Sequence, residues 1–222
     1  MAKSEAAEKM DELQSHLRPF LRAHGYRIHA RKCNRTTADG LIHVIRFQMG
    51  RFDPPGTNYI PWFREKVYGK FTVNVGVYVP EVYAEWFRWS KKGAPTFVDE
   101  ADCCVRVRLG QLGPERSDIW WKIEASARIA SQLQSRIESD ALPFLARFET
   151  RDGLLKEFSA AGGECLLGGR TKTVCAIMLA ARGNAVEARQ LLREHAQQAH
   201  DLKQSEYAHE LARRLGLGPR DA

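Results

Sequence analysis

Residues 71–79 read Phe-Thr-Val-Asn-Val-Gly-Val-Tyr-Val, and their reading decides the fold. Phe71, Val73, Val75, Val77 and Val79 occupy every odd position, while Thr72, Asn74, Gly76 and Tyr78 fill the even ones. Successive side chains leave a strand on opposite sides, so a period of two predicts a strand with one face on a core. Pro80 closes it, because proline has no amide to give to a ladder.

Working upstream from this strand, Leu41–Met49 and Tyr26–Arg35 read as two more, joined by a turn that ends in Asp39–Gly40. Residues 50–69 form a long loop with Pro54, Pro55, Gly56 and Pro61. Downstream, Cys103–Leu109 is the fourth strand, with Val105, Val107 and Leu109 inward, and Ile119–Ile123 adds a short fifth. Strands joined by hairpins pair antiparallel, which excludes a doubly wound sheet.

Helical spacing governs the rest. Met10, Leu13, Leu17, Phe20 and Leu21 recur at three and four residues, with Pro19 expected to kink or divide the helix after Arg18 and Gly25 to stop it. Val82, Tyr83, Trp86 and Phe87 mark a short helical stretch after Pro80. Beyond Ser126, Ile129, Leu133 and Ile137 form a stripe, and Asp140 caps a restart carrying Leu142, Leu145 and Phe148. The pairs Gly162–Gly163 and Gly168–Gly169 bracket a joint. An αα-hairpin follows over Thr171–Arg182 and Ala185–Ala199, turning at Gly183–Asn184, and Ser205–Leu215 is a last helix. The expectation is an α+β fold. An antiparallel sheet of four to five strands packs with helices over residues 1–160, and a helical hairpin extension spans residues 161–222.

The composition is that of a globular protein: 44% hydrophobic and 27% charged residues. No apolar run approaches the roughly 18–20 residues that would span a bilayer. The opening MAKSEAAEKMDELQSH mixes acids and bases without a hydrophobic stretch, which predicts no secretory leader and a cytoplasmic protein. Five cysteines, with no Cys-x-x-Cys pair, suit a reducing compartment where they act as small apolar residues. Cys103 and Cys104 are adjacent and are expected on opposite faces. The net charge is +7, and its largest surplus lies in residues 1–90, with 14 Lys and Arg against 9 Asp and Glu. That favours an anionic partner.

Leu41–Gln48 ending in Arg-Phe-Gln, the 71–78 strand, Arg108-Leu-Gly and Asp118-Ile-Trp-Trp come in an order that resembles the domain-of-unknown-function 4304 family. The leading helix ending in His24-Gly25-Tyr26 and Leu142-Pro143-Phe144-Leu145 extend the likeness over about residues 10–150. The resemblance implies the sheet-and-helix fold and brings no catalytic residues with it.

Several motifs fail for stated reasons. Asp99-Glu100-Ala101-Asp102 spells a helicase acidic box, but the strand follows it instead of preceding it, and no Gly-x4-Gly-Lys-Ser/Thr loop exists to hold a phosphate. His29 and Cys33, read on one strand, are about 13 Å apart, too far to share an ion. His29 and His43 could meet across the first hairpin, without an evident third ligand. There is no Gly-x-Ser-x-Gly elbow. Gly183-Asn184-Ala185-Val186-Glu187-Ala188 looks like one tetratricopeptide turn, too few for a solenoid. Phe52, Tyr59, Trp62, Phe63 and Tyr68 form an aromatic loop suited to covering a core or stacking bases. The reading therefore assigns no catalytic residue, no metal ligand and no cofactor.

One constellation carries a hypothesis. Arg27, His29, Arg31 and Arg35 lie opposite Ile28 and Ala30 on the first strand. Arg46 and Gln48 share a face of the second, Asn74 lies on the polar face of the third, and Arg106 and Arg108 alternate with valines on the fourth. Guanidinium forks bind carboxylates or phosphates bidentately, and neighbouring amides set orientation. Arg27, Arg31, Arg46, Gln48, Asn74, Arg106 and Arg108 are the candidate anion-binding residues. The expectation is a non-enzymatic binding or interaction module for an acidic protein or nucleic acid, with no membrane role. The alternative is an enzyme, of nuclease or other hydrolase type, with an unrecognised site. The purified chain is expected to turn over neither ATP nor GTP and to hold no stoichiometric zinc. Elemental analysis giving about one zinc per chain, or turnover lost in Lys172→Ala, would contradict this.

Overall fold

The sheet is assembled outward from the strand at its centre. The computed structural model describes residues 3–50, 66–90, 93–124, 126–160, 170–199 and 201–218. Strand β4 (Lys70–Tyr78) pairs antiparallel with β3 (Ile42–Met49) on one side and with β5 (Val105–Arg108) on the other. β3 continues to β2 (Lys32–Thr36) and β1 (Arg27–His29), and β6 (Trp121–Lys122) joins the start of β4. The order is β1-β2-β3-β4-β5, a six-stranded antiparallel sheet, and the class is α+β.

Six strands exceed the expected four to five because Tyr26–Arg35 is a hairpin and not one strand. The chain turns at Ala30, whose φ of 49° is left-handed, and His29 pairs with Lys32. The turn resets the alternation, so residues beyond it change face.

The odd positions of β4 face the core as their alternation requires. Phe71, Val73, Val75, Val77 and Val79 are buried with Leu13, Leu17 and Val105, and Val107 packs partly buried against them. Helix α1 (Glu5–Ala23) supplies Met10, Leu13, Leu17 and Leu21 to this cluster. Ser4 caps its start, accepting from the Ala7 amide. Pro19 lies inside the helix without dividing it. Helix α4 (Ala127–Arg136) adds Ile129 and Leu133, and a π-helical turn (Ile137–Ala141) leads into α5 (Leu142–Ala146). The wide turn comes where Pro143 has no amide to return to the preceding turn. Asp140 does not cap a restart: it accepts from Arg136 at 3.1 Å.

The remaining elements are α2 (Pro80–Trp86), a 3₁₀ turn (Glu100–Asp102), α3 (Leu109–Leu112), α6 (Arg151–Ser159), α7 (Thr171–Ala181), α8 (Ala185–Gln197) and α9 (Leu202–Arg214). α7 and α8 form the hairpin, with Gly183 in the left-handed region at the turn. Val174, Ile177, Leu192 and Leu211 belong to the same buried cluster as the sheet residues, so the core runs without a break into these helices. Ion pair Arg214–Glu85 ties α9 to α2, and Arg88–Glu210 ties it to the turn that follows α2. No described helix is long and apolar enough to cross a membrane. Phe52, Tyr59, Trp62 and Phe63, Cys165 and the two glycine pairs of the 162–169 joint lie outside the described residues.

Arg35 and His43 show the effect of the reset register. They are Cα partners on the core face. His43 is wholly buried; its Nδ1 accepts from Arg35 at 2.8 Å and its Nε2 donates to the Phe148 carbonyl at 2.9 Å. Arg35 also binds the Glu149 carboxylate. His29 lies on the other face, so the two histidines cannot share an ion. Burial, assisted by the Arg35 charge, holds His43 below its ordinary value of 6.5. The unfolded chain therefore binds that proton first, and stability present above about pH 6.5 is lost as the pH falls through the folded value. Denaturant midpoints measured across this window should decline for the parent and flatten for His43→Gln, which keeps a donor near the Phe148 carbonyl.

Candidate functional site

The outer face of the sheet carries two cross-strand rows set by the register. One runs Arg27, Asn34, Val44, Gly76, Arg106 from β1 to β5. The next runs His29, Lys32, Arg46, Asn74, Arg108. Adjacent strands lie about 4.8 Å apart, so each row spans about 19 Å. Five of the seven predicted anion-binding residues, Arg27, Arg46, Asn74, Arg106 and Arg108, fall in these rows. Gln48 lies one row further, where its Oε1 accepts from Asn74 Nδ2 at 2.7 Å. Arg31 does not join them. It sits in the β1–β2 turn and pairs with Asp11 of α1 at 3.5 Å.

The chain covers part of this face itself. Val98 stands over the first row because Asn34 holds it as a strand neighbour would. Asn34 Nδ2 donates to the Val98 carbonyl at 3.1 Å, and the Val98 amide donates to Asn34 Oδ1 at 2.7 Å. Val44, Tyr78, Val98 and Cys103 form a second buried cluster beneath it. Cys104 faces the main core, so the adjacent cysteines separate across the sheet. A Cβ at Gly76 would lie 2.8 Å from Cys103 Sγ, so the open backbone there is used by the covering segment and not left for a ligand. Thr72, at 0% exposure, and Asn74 are also buried on this side.

The same segment brings acids to the second row. Asp99 pairs with Arg46 at 2.8 Å and Lys32 at 3.3 Å. Glu100, only 6% exposed, pairs with Arg46 at 2.5 Å and Arg106 at 3.2 Å. Burial lifts the Glu100 carboxyl above its ordinary range, with its bond to Asp99 adding and Arg46 opposing. Burial acts on Asp99 in the same direction, but the Glu100 bond, Arg46 and Lys32 together hold it below the usual range. Arg108 binds Asp118 and lies 5.1 Å over the Trp120 ring, while Trp121 packs on Phe71 in the core. Arg27 lies 5.9 Å from the centre of the Phe97 ring.

Two carboxyls displaced in opposite directions form the pattern of an acid–base pair. Here the Glu100 carboxylate is engaged by Arg46 and Arg106 within the chain. The described thiols are equally poor nucleophiles, since burial pushes Cys33, Cys104 and Cys175 up to about 12. The arrangement is a basic surface with resident carboxylates. The acids were invisible to strand periodicity because Asp99 and Glu100 reach the face from a loop 50 or more residues from Arg46 in sequence.

The fold and this surface define an α+β protein in which a helix-backed antiparallel sheet turns a charged face outward. The chain belongs to the family described as domain of unknown function (DUF4304), which matches residues 17–147. No curated protein and no solved structure matches it.

Asn34→Ala should leave the Val98 amide and carbonyl without partners and destabilise the protein by about 1–3 kcal/mol. Hydrogen exchange should quicken at the Val98 amide before the β4 amides. Unchanged protection there would show that the segment is held by other contacts.

Proposed function

We propose that the chain is a non-enzymatic binding module whose outer sheet face meets an acidic polypeptide. The observation that carries this is the charge balance of the two rows: five cations (Arg27, Lys32, Arg46, Arg106, Arg108) against three carboxylates (Asp99, Glu100, Asp118). Arg27 lies at one margin and Arg106, with 53% of its side chain exposed, at the other. A partner adds its acids at these margins, beside carboxylates that the arginines already hold. The resident groups are themselves carboxylates, so the spacing of the face suits Asp and Glu side chains, and a polypeptide is favoured over a nucleic acid. Buried free thiols fit a reducing compartment, and the cytoplasm is the setting proposed.

Polyglutamate is the probe. Its affinity should fall steeply with added salt, as exposed charge pairs are screened within about 8 Å at physiological ionic strength. Exposed pairs contribute about 0.2–1 kcal/mol each, and reversal adds repulsion, so Arg27→Glu with Arg106→Glu should weaken binding about tenfold. A double variant that folds normally and binds as well as the parent would reduce the face to a solvated, self-neutralised surface. Salt-dependent binding of an oligonucleotide, with none of polyglutamate, would move the partner to the nucleic-acid class.

A further inference from the structure

A cleft of about 1170 Å³ opens where the end of α2 meets the start of α7, the end of α8 and the start of α9. None of the cations of the sheet-face rows lines it.

One part of the lining is aromatic. Trp86, Phe87 and Trp89 come from the end of α2 and the turn beyond it, and Tyr207 comes from α9. Trp86 packs partly buried against the core, with Arg170 lying 5.4 Å over its ring. Trp89 is 72% exposed, although tryptophan is highly buried on average, and Tyr207 is 38% exposed. These two rings are the aromatic surface that the chain leaves uncovered at the cleft. Such faces stack planar rings in offset or edge-to-face geometry.

The other part of the lining is positive. Arg170, Lys172 and Lys203 contribute three cations. Asp201 is the carboxylate among the described lining residues, and its Oδ1 accepts from the Gln204 amide. Behind the lining, Glu194 binds Lys172 at 3.0 Å. His195 adds no charge at neutral pH, because burial and then Lys172 hold it below its ordinary value of 6.5. Three cations against two carboxylates leave one positive charge in excess. The adjoining groups do not alter that balance, since Arg88 and Arg214 are met by Glu85 and Glu210. Among the described residues no carboxylate pairs with Arg170 or Lys203.

We propose that this cleft binds a small aromatic carboxylic acid as its anion. The ring stacks on Trp89 and Tyr207, and the carboxylate is met by the Arg170 guanidinium, with Lys203 as the second free cation. A guanidinium presents paired N–H donors in a plane, which match the two oxygens of a carboxylate. A single negative charge balances the excess. A phosphate monoester, with a charge of about −1.5 to −2 at neutral pH, would exceed it. Ligand clefts commonly run to about 300–1,000 Å³, so a fused ring has room here. The sheet-face reading is not needed for this site and stands or falls separately.

Calorimetry on the full chain tests it with β-naphthoate, its alcohol β-naphthylmethanol, cyclohexanecarboxylate and β-naphthyl phosphate. The first carries both ring and single charge, the second the ring alone and the third the charge alone. β-Naphthoate should bind about tenfold more tightly than either of these two, and more tightly than the phosphate. Trp89→Ala should weaken β-naphthoate and the alcohol alike, by about tenfold. Arg170→Gln should weaken β-naphthoate about fivefold and leave the alcohol unchanged. Both side chains are exposed, so neither change removes a part of the core. No heat of binding at several millimolar β-naphthoate would overturn the proposal. So would the alcohol, the cyclohexane acid or the phosphate binding as tightly as β-naphthoate, or parental affinity in both Trp89→Ala and Arg170→Gln.

Discussion

A central strand has two faces, and in this protein both are buried. On the core side of β4 the valines settle the matter by themselves: they pack against α1 and α4, and hydrophobic transfer supplies the stability. On the other side Thr72, Asn74, Gly76 and Tyr78 are buried as well, and polar groups withdrawn from water call for partners, a demand that the Thr72 hydroxyl leaves unmet. The rest of the outer face follows from that demand. Asn74 bonds to Gln48, Asn34 holds the backbone of Val98, and the segment that Asn34 holds carries Asp99 and Glu100 onto Arg46. One amide side chain thus fixes where two acids sit, and those acids decide how much positive charge the face presents.

The fold was legible because its deciding signals are local. A nine-residue alternation, helical stripes and a glycine turn each need only neighbours in sequence. The first hairpin escaped because Ala30 gives no turn signal; a left-handed alanine is uncommon and nothing in the sequence marks it. That one residue misplaced Arg31 and Arg35. It moved Arg31 to the turn beside Asp11 and Arg35 to the core side beside His43.

The arginine rows were legible for the same local reason, since Arg46, Arg106 and Arg108 alternate with residues whose burial is plain. Their counter-ions were not. Asp99 and Glu100 read in sequence only as a failed helicase box, and it is the tertiary structure, with Val98 held by Asn34, that brings them over the sheet.

The acids of the C-terminal helices are engaged away from the sheet. Glu210 pairs with Arg88 and Arg214, Glu194 with Lys172, and Glu85 of α2 receives Arg214. The sheet instead draws its carboxylates from the 97–103 segment and from Asp118. The two charged regions are therefore neutralised by separate sets of residues, with no carboxylate shared between them. The sheet and the helical extension meet through packing, because α7 rests on α2 and α2 follows directly from β4.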